Sequence, residues 1–210
     1  MNPISDFFFY QYSSYSTLDI TLEITAVIFG FISVWLSKQN NILVFPTGMI
    51  STLIFVYLLL KWELLGDMMI NAYYFIMSVY GWYIWTRKIN ETTVTPISRI
   101  TSKERQKGII LFLSTLIFVF IIYKFFDKWT GWVAYADTFT TAIFFVGMWL
   151  MAKRKIENWI FWILGNIISV PLYFYKGLTF TSLQYFGFTF IAIFGYIAWK
   201  KSLHKNLSTS

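Results

Sequence analysis

The chain has 210 residues, of which 57% are hydrophobic, 22% aromatic and only 13% charged, with a net charge of +7 and no cysteine. An average soluble domain carries roughly 25% charged residues, so the composition excludes an ordinary soluble globule, and the missing cysteine excludes disulfides and thiol chemistry. Long apolar runs recur between short polar breaks, the pattern of an all-α polytopic membrane protein.

Residues 1–19 have neither a basic start nor a small-residue cleavage site, so no cleaved signal peptide is expected. Phe7, Phe8, Phe9, Tyr10 and Tyr12 suit a headgroup layer, which makes this an interfacial segment. The first predicted span, about 20–37, has Glu23, Gly30 and Ser33 along one side and Trp35 near its end. The second runs over about 42–62, just after Asn41. The third, about 67–86, carries Asp67, Asn71, Tyr74, Ser78 and Trp82 or Trp85 on one stripe. Residues 87–107 form a polar loop too short for a domain. The fourth span, about 108–126, is almost pure Ile, Leu, Phe and Val and reads as a lipid-facing linker. The fifth, about 132–152, holds Asp137, Thr138 and Thr141. In the sixth, about 158–175, Trp159, Trp162, Asn166, Val170 and Tyr173 share a face. In the seventh, about 179–199, Gln184 or Tyr185, Phe188, Ala192, Tyr196 and Trp199 do so, and residues 200–210 form a tail.

The spans repeat. "GWYIW" at 81–85 ends the third, "GYIAW" at 195–199 ends the seventh, and both are followed by basic residues. Trp35 mirrors Trp149, and Gly48 and Gly165 lie early in spans two and six. Residues 20–86 and 132–199 are thus expected to be two three-helix units, parallel and joined by the span at 108–126. With the N-terminus outside, 13 Lys and Arg residues face the cytoplasm and 4 face out, which fits an N-out, C-in topology. The basic residues are then explained by topology, and no patch remains for nucleic acid.

Polar groups inside hydrocarbon need a reason. Two readings stay open for Asn166, interhelical glue or solute contact. Trp85, Trp149 and Trp199 lie beside basic loops and are expected to be belt anchors. Trp162, a turn deeper than Trp159, is the better buried platform. Glu23 and Asp67 lie near outer ends, where water reaches them, and no lysine or arginine is placed deep in a span to pair with Asp137. Carboxamides, hydroxyls and indoles together suit a neutral or weakly cationic solute with a flat ring and several hydroxyls. The only histidine is His204, in the tail, and no catalytic, nucleotide or metal motif is present, so neither an enzyme nor a cofactor or metal is expected.

Four stretches, "NNILVFPTG" at 40–48, "GDMMINAYYFIMSVYGWYIW" at 66–85, "ENWIFWILGN" at 157–166 and "GYIAW" at 195–199, resemble the PnuC family of nicotinamide riboside transporters. The resemblance covers the chain from about Thr21 onward. It implies a SWEET-like fold of three, one and three helices and a homotrimer in a bacterial cytoplasmic (inner) membrane. It also implies import of nicotinamide riboside (vitamin B3) by facilitated diffusion, the riboside being trapped by a cytoplasmic riboside kinase for NAD biosynthesis. By that likeness Trp162 and Asn166 lead the site, with Asn41, Asn71, Trp35 and Gln184 behind them; Trp159, Tyr185, Trp82, Tyr173, Asp137 and Thr141 complete the candidates from the stripes. Asn71 departs from the family pattern, which often has Gln on that helix. Thiamine or riboflavin is the alternative cargo, and a structural membrane protein whose aromatics only pack is the alternative to transport.

Overall fold

The computed structural model describes residues 15–62, 65–89, 93–127, 129, 131–176 and 179–208. The aromatic run expected at the headgroup layer lies outside these residues.

Seven helices are present among the described residues: α1 (Thr17–Lys38), α2 (Val44–Lys61), α3 (Leu65–Thr86), α4 (Ser102–Phe125), α5 (Gly131–Ala152), α6 (Asn158–Tyr175) and α7 (Thr179–Ser208). Five of them, α1, α2, α4, α5 and the 181–204 stretch of α7, are long and apolar enough to cross a membrane by length and composition. The two below that level, α3 and α6, carry Asp67, Asn71 and Ser78, and Asn158, Asn166 and Ser169. The chain is therefore an all-helical polytopic membrane protein, with one addition. In the polar loop a two-residue strand β1 (Lys88–Ile89) pairs antiparallel with β2 (Thr93–Val94).

Helix ends follow local chemistry. Ser16 caps α1, its hydroxyl accepting from the Asp19 N–H at 3.2 Å. Helix α4 starts at Ser102, well before the apolar run, because Thr101 and Glu104 form a reciprocal capping box that holds the polar first turn. Helix α7 continues past the last apolar turn to Ser208, so the expected tail is largely helical.

Packing proceeds by neighbours: α1 on α2, α2 on α3, α5 on α6 and α6 on α7, with α1–α7 and α3–α5 joining the two sets. Helix α4 packs mainly on α5, and it leaves Ile109, Ile110, Leu113, Ile117 and Phe125 exposed, as a lipid-facing helix must. Helix α5 is the opposite case, buried along nearly its whole second half.

The turn after α1 is built again after α5. Asn40 and Arg154 hold the left-handed conformation, at φ 55° and 53°, at the same offset of 114 positions that the Ser37 Oγ–Met151 Sδ contact spans. Asn40 N–H donates to Ser37 O and Arg154 N–H to Met151 O, both at 2.9 Å; Val44 N–H to Asn41 O and Asn158 N–H to Lys155 O, both at 3.1 Å. The same offset relates Phe45 to Trp159, Gly81 to Gly195 and Trp85 to Trp199. A ring lies on each glycine: a Cβ on Gly81 would sit 2.2 Å from Phe45, and one on Gly195 would sit 2.5 Å from Trp159. This register corrects one sequence pairing. Gly48 is the counterpart of Trp162, and Gly165 of Ser51.

Trp85 and Trp199 are not belt anchors. Each is 1% exposed and sits in the core with Phe45, Ile97, Trp159 and Leu203. Burial requires a partner for each indole N–H, and both find one across the molecule: Trp85 Nε1 donates to Ala152 O at 3.1 Å and Trp199 Nε1 to Ser37 O at 2.9 Å. Beneath them the loop at 95–101 is fastened to the α5–α6 turn. Ser98 N–H donates to Arg154 O and Ile156 N–H to Ser98 O, each at 3.0 Å. The Arg154 guanidinium donates to Thr95 O and lies 4.1 Å from the Trp85 ring centroid. This end of the bundle, which carries the basic loops, is closed.

Candidate functional site

Above the closed end lies a cavity of about 860 Å³. Its floor is Ser37, Val44, Met148, Met151 and Trp159, and at the opposite end it reaches Tyr15, Glu23, Trp62, Asp67 and Asp137. Between them Trp162 and Asn166 project from α6, Asn71, Tyr74 and Ser78 from α3, Thr141 and Phe144 from α5, and Gln184 and Tyr185 from α7.

The aromatic part is a stack of rings. Trp162 lies 5.5 Å from Phe144 and 6.3 Å from Tyr74 between centroids. Phe144 stacks on Tyr185 at 5.9 Å, and Tyr185 on Tyr173 at 5.0 Å. Phe144 is fixed by Gly165, where a Cβ would come within 2.3 Å of its ring. Trp162 in turn lies against Gly147, whose added Cβ would be 3.6 Å from the indole. Glycines on α5 and α6 thus let two large rings approach the helix axes and define a flat-walled slot.

The polar part is sparse and mostly unspent. Asn166 is 2% exposed and Thr141 5%, and neither side chain has a hydrogen-bond partner among the described residues. Asn166 makes no interhelical hydrogen bond among the described residues, and its carboxamide faces the cavity. Asn71 Nδ2 donates to Asp67 O at 2.9 Å, within its own helix, leaving its carbonyl oxygen. No Lys, Arg or His lines the cavity among the described residues, whereas Glu23, Asp67 and Asp137 do.

Asp137 has a partner that the sequence reading did not provide. Lys176 Nζ lies 2.6 Å from both carboxylate oxygens. Lys176 caps the far end of α6, which packs against α5 and returns the lysine to the level of Asp137. The first set of helices has the like pair: Lys61, at the end of α2, meets Asp19, at the start of α1, at 2.7 Å. Glu23 and Asp67 do not merely face water; they border the cavity.

Of the twelve sequence candidates, Trp162, Asn166, Trp159, Asn71, Gln184, Tyr185, Tyr173, Asp137 and Thr141 line the cavity, and Trp35, Asn41 and Trp82 do not. Trp35 is 48% exposed with Lys38 Nζ 3.8 Å above its ring, and Trp82 is 44% exposed. Asn41 Oδ1 accepts from Leu43 N–H at 2.9 Å and serves the turn. Trp159 is 1% exposed, edge-on to Trp199 at 5.5 Å, so it is chiefly floor. Sequence reasoning missed Phe144, hidden in a uniformly apolar helix, and Gly48. Their signal was the 114-residue register, which sets Gly48 opposite Trp162 and Gly30 opposite Phe144.

A sequence model described as "Nicotinamide mononucleotide transporter" matches residues 20–201. The nicotinamide riboside transporter PnuC of Escherichia coli (strain K12) is 23% identical to the chain, over 86% of the chain and 85% of the relative. The riboflavin/roseoflavin transporter RibM of Streptomyces davaonensis is 22% identical, over 82% and 81%. A crystal structure of the vitamin B3 transporter PnuC shares the fold, with a TM-score of 0.65 at 21% identity, over 90% of this chain and 84% of that one. The chain belongs to the nicotinamide mononucleotide transporter family, a family of membrane transporters and not of enzymes.

Proposed function

We propose that the protein carries nicotinamide riboside into the cell by facilitated diffusion. The observation that supports this reading best is the cavity wall: rings and unpartnered carboxamide and hydroxyl groups, three carboxylates, and no cation among the described lining residues. A pyridinium ring is attracted to indole faces and to carboxylates. A phosphate seeks Arg or Lys, and among the described residues the nearest, Lys176, is already engaged by Asp137 at the mouth, which favours the riboside over the mononucleotide as cargo. The relatives named as riboside transporters support the same choice.

Transport by this reading is alternating access between two three-helix units, α1–α3 and α5–α7, parallel in the membrane, joined by α4 and SWEET-like in arrangement. The repeated turns and the exchanged indole bonds support that division. The excess of Lys and Arg at the closed end supports a cytoplasmic position for that end in a bacterial cell, with the N-terminus outside. The cavity then opens outward. A homotrimer, and a cytoplasmic kinase that phosphorylates the riboside and holds it inside, complete the scheme. Uptake into liposomes without kinase should stop when inside and outside concentrations are equal. Accumulation driven by a proton or sodium gradient would overturn the uniport.

A flavin is the second reading. The cavity, about 860 Å³, has the size of drug-sized ligand pockets, and one relative is named as a riboflavin transporter.

A further inference from the structure

The two sets of helices share a backbone register but not a chemistry. Where the second set has Gly147, Trp162, Asn166 and Ala192, the first has, at the common offset of 114, Ser33, Gly48, Thr52 and Ser78. At these four positions the second set supplies an indole and a carboxamide, and the first supplies a glycine and three hydroxyls. A Cβ on Gly48 would lie 3.0 Å from Ser33 Oγ and 3.5 Å from Ser78 Oγ, so two hydroxyls converge on the space that glycine leaves. Ser33 Oγ donates to Val44 O at 2.7 Å and keeps its acceptor sites. Ser78 is 3% exposed, lines the cavity and has no hydrogen-bond partner among the described residues. The Ser78 hydroxyl opens on the cavity and is free to bond to what the cavity holds.

From this asymmetry we infer that the Ser33–Gly48–Ser78 shelf is the subsite for the polyol part of the ligand, a ribosyl ring or a ribityl chain, and that Gly48 sets its depth. The inference rests on the reading of this cavity as the solute site. It fixes the orientation of the solute: ring on Trp162, sugar on α1, α2 and α3. Any side chain at position 48 closes the shelf, because Ser33 is held by its bond to Val44 O and cannot yield freely.

The test compares each ligand with its sugarless ring. Binding of nicotinamide riboside and of N-methylnicotinamide, which keeps the cationic ring, is measured on purified wild type, Gly48→Ala and Ser78→Ala. Riboflavin and lumiflavin form the second pair. Alanine at position 48 improves helix propensity but sets its Cβ 3.0 Å from Ser33 Oγ, so thermal unfolding of each variant is measured beside binding, and Ser78→Ala removes the hydroxyl without adding bulk. For whichever pair the wild type binds, both variants should weaken the sugar-bearing ligand about tenfold and leave the sugarless ring within about twofold. Equal loss for ring and sugar-bearing ligand, or no sugar-dependent difference in either pair, overturns the shelf. Discrimination lost only in the flavin pair keeps the shelf and overturns the riboside as cargo.

Discussion

Trp85 and Trp199 make the same hydrogen bond in opposite directions: each indole N–H reaches the backbone at the end of the other set's first helix, at Ala152 and Ser37. Their rings meet at 6.0 Å. Together with Phe45 and Trp159 they seal the cavity floor at the basic end. Opening the cavity at that end would break these two bonds.

Substitutions of Trp85 separate ring from bond. Trp85→Phe keeps most of the ring but leaves the Ala152 carbonyl unpaired, at a cost of about 1–3 kcal/mol. Trp85→Ala also leaves a void beside Phe45 and should cost about 3–5 kcal/mol. Thermal unfolding in detergent measures both. Wild-type stability in Trp85→Ala would show that the ring is not core.

Arg154 ties the 95–101 loop to the floor. Burial pulls its guanidinium down to about 10, so it remains charged at neutral pH. Asn stands at the equivalent left-handed turn position, Asn40, so Arg154→Asn keeps the turn and removes only the contacts to Thr95 O and Trp85. The variant should lose about 1–3 kcal/mol and should be cut in the loop by protease before the helices are. Unchanged loop protection would mean that the backbone bridge at Ser98 suffices.

Lys176 neutralises Asp137 at the cavity mouth. Lys176→Gln removes the partner of Asp137 and leaves its carboxylate uncompensated near a cationic solute. The association rate for the riboside should rise a few-fold at low salt and return to wild type at high salt. A rise that persists at high salt, or a fall, would place the effect in packing rather than in charge.

Asn166 is a case of function against stability. Asn166→Leu keeps bulk and removes a cavity-facing carboxamide that has no protein partner among the described residues, so the protein should unfold no earlier than wild type while binding solute more weakly. A destabilised Asn166→Leu would indicate that the carboxamide bonds to the protein after all.

The helices were legible because apolar runs and their breaks are local. The start of α4 was missed although Thr101 and Glu104 are three apart, since the polar first turn, "SKERQK", hides a helix that the capping box sustains. Trp85 and Trp199 were misread as belt residues because their neighbours in sequence are basic. What buries them is contact with residues on the other set of helices, which composition does not encode. The polar candidates Asn71, Asn166 and Thr141 stood out in apolar helices. Gly48 did not, because a glycine acquires meaning only when its counterpart, Trp162, is known.

By the proposed function the cavity accepts a cationic riboside and refuses the phosphorylated form. Calorimetric titration of the purified protein with nicotinamide riboside and with nicotinamide mononucleotide tests it directly. Desolvating a phosphate in a cavity with carboxylates and no cation among its described lining residues costs several kcal/mol, so the mononucleotide should bind about 100-fold more weakly or not at all. The preference should shrink in Trp162→Ala, which loses about 1–3 kcal/mol for the riboside. Equal or tighter binding of the mononucleotide would contradict the account.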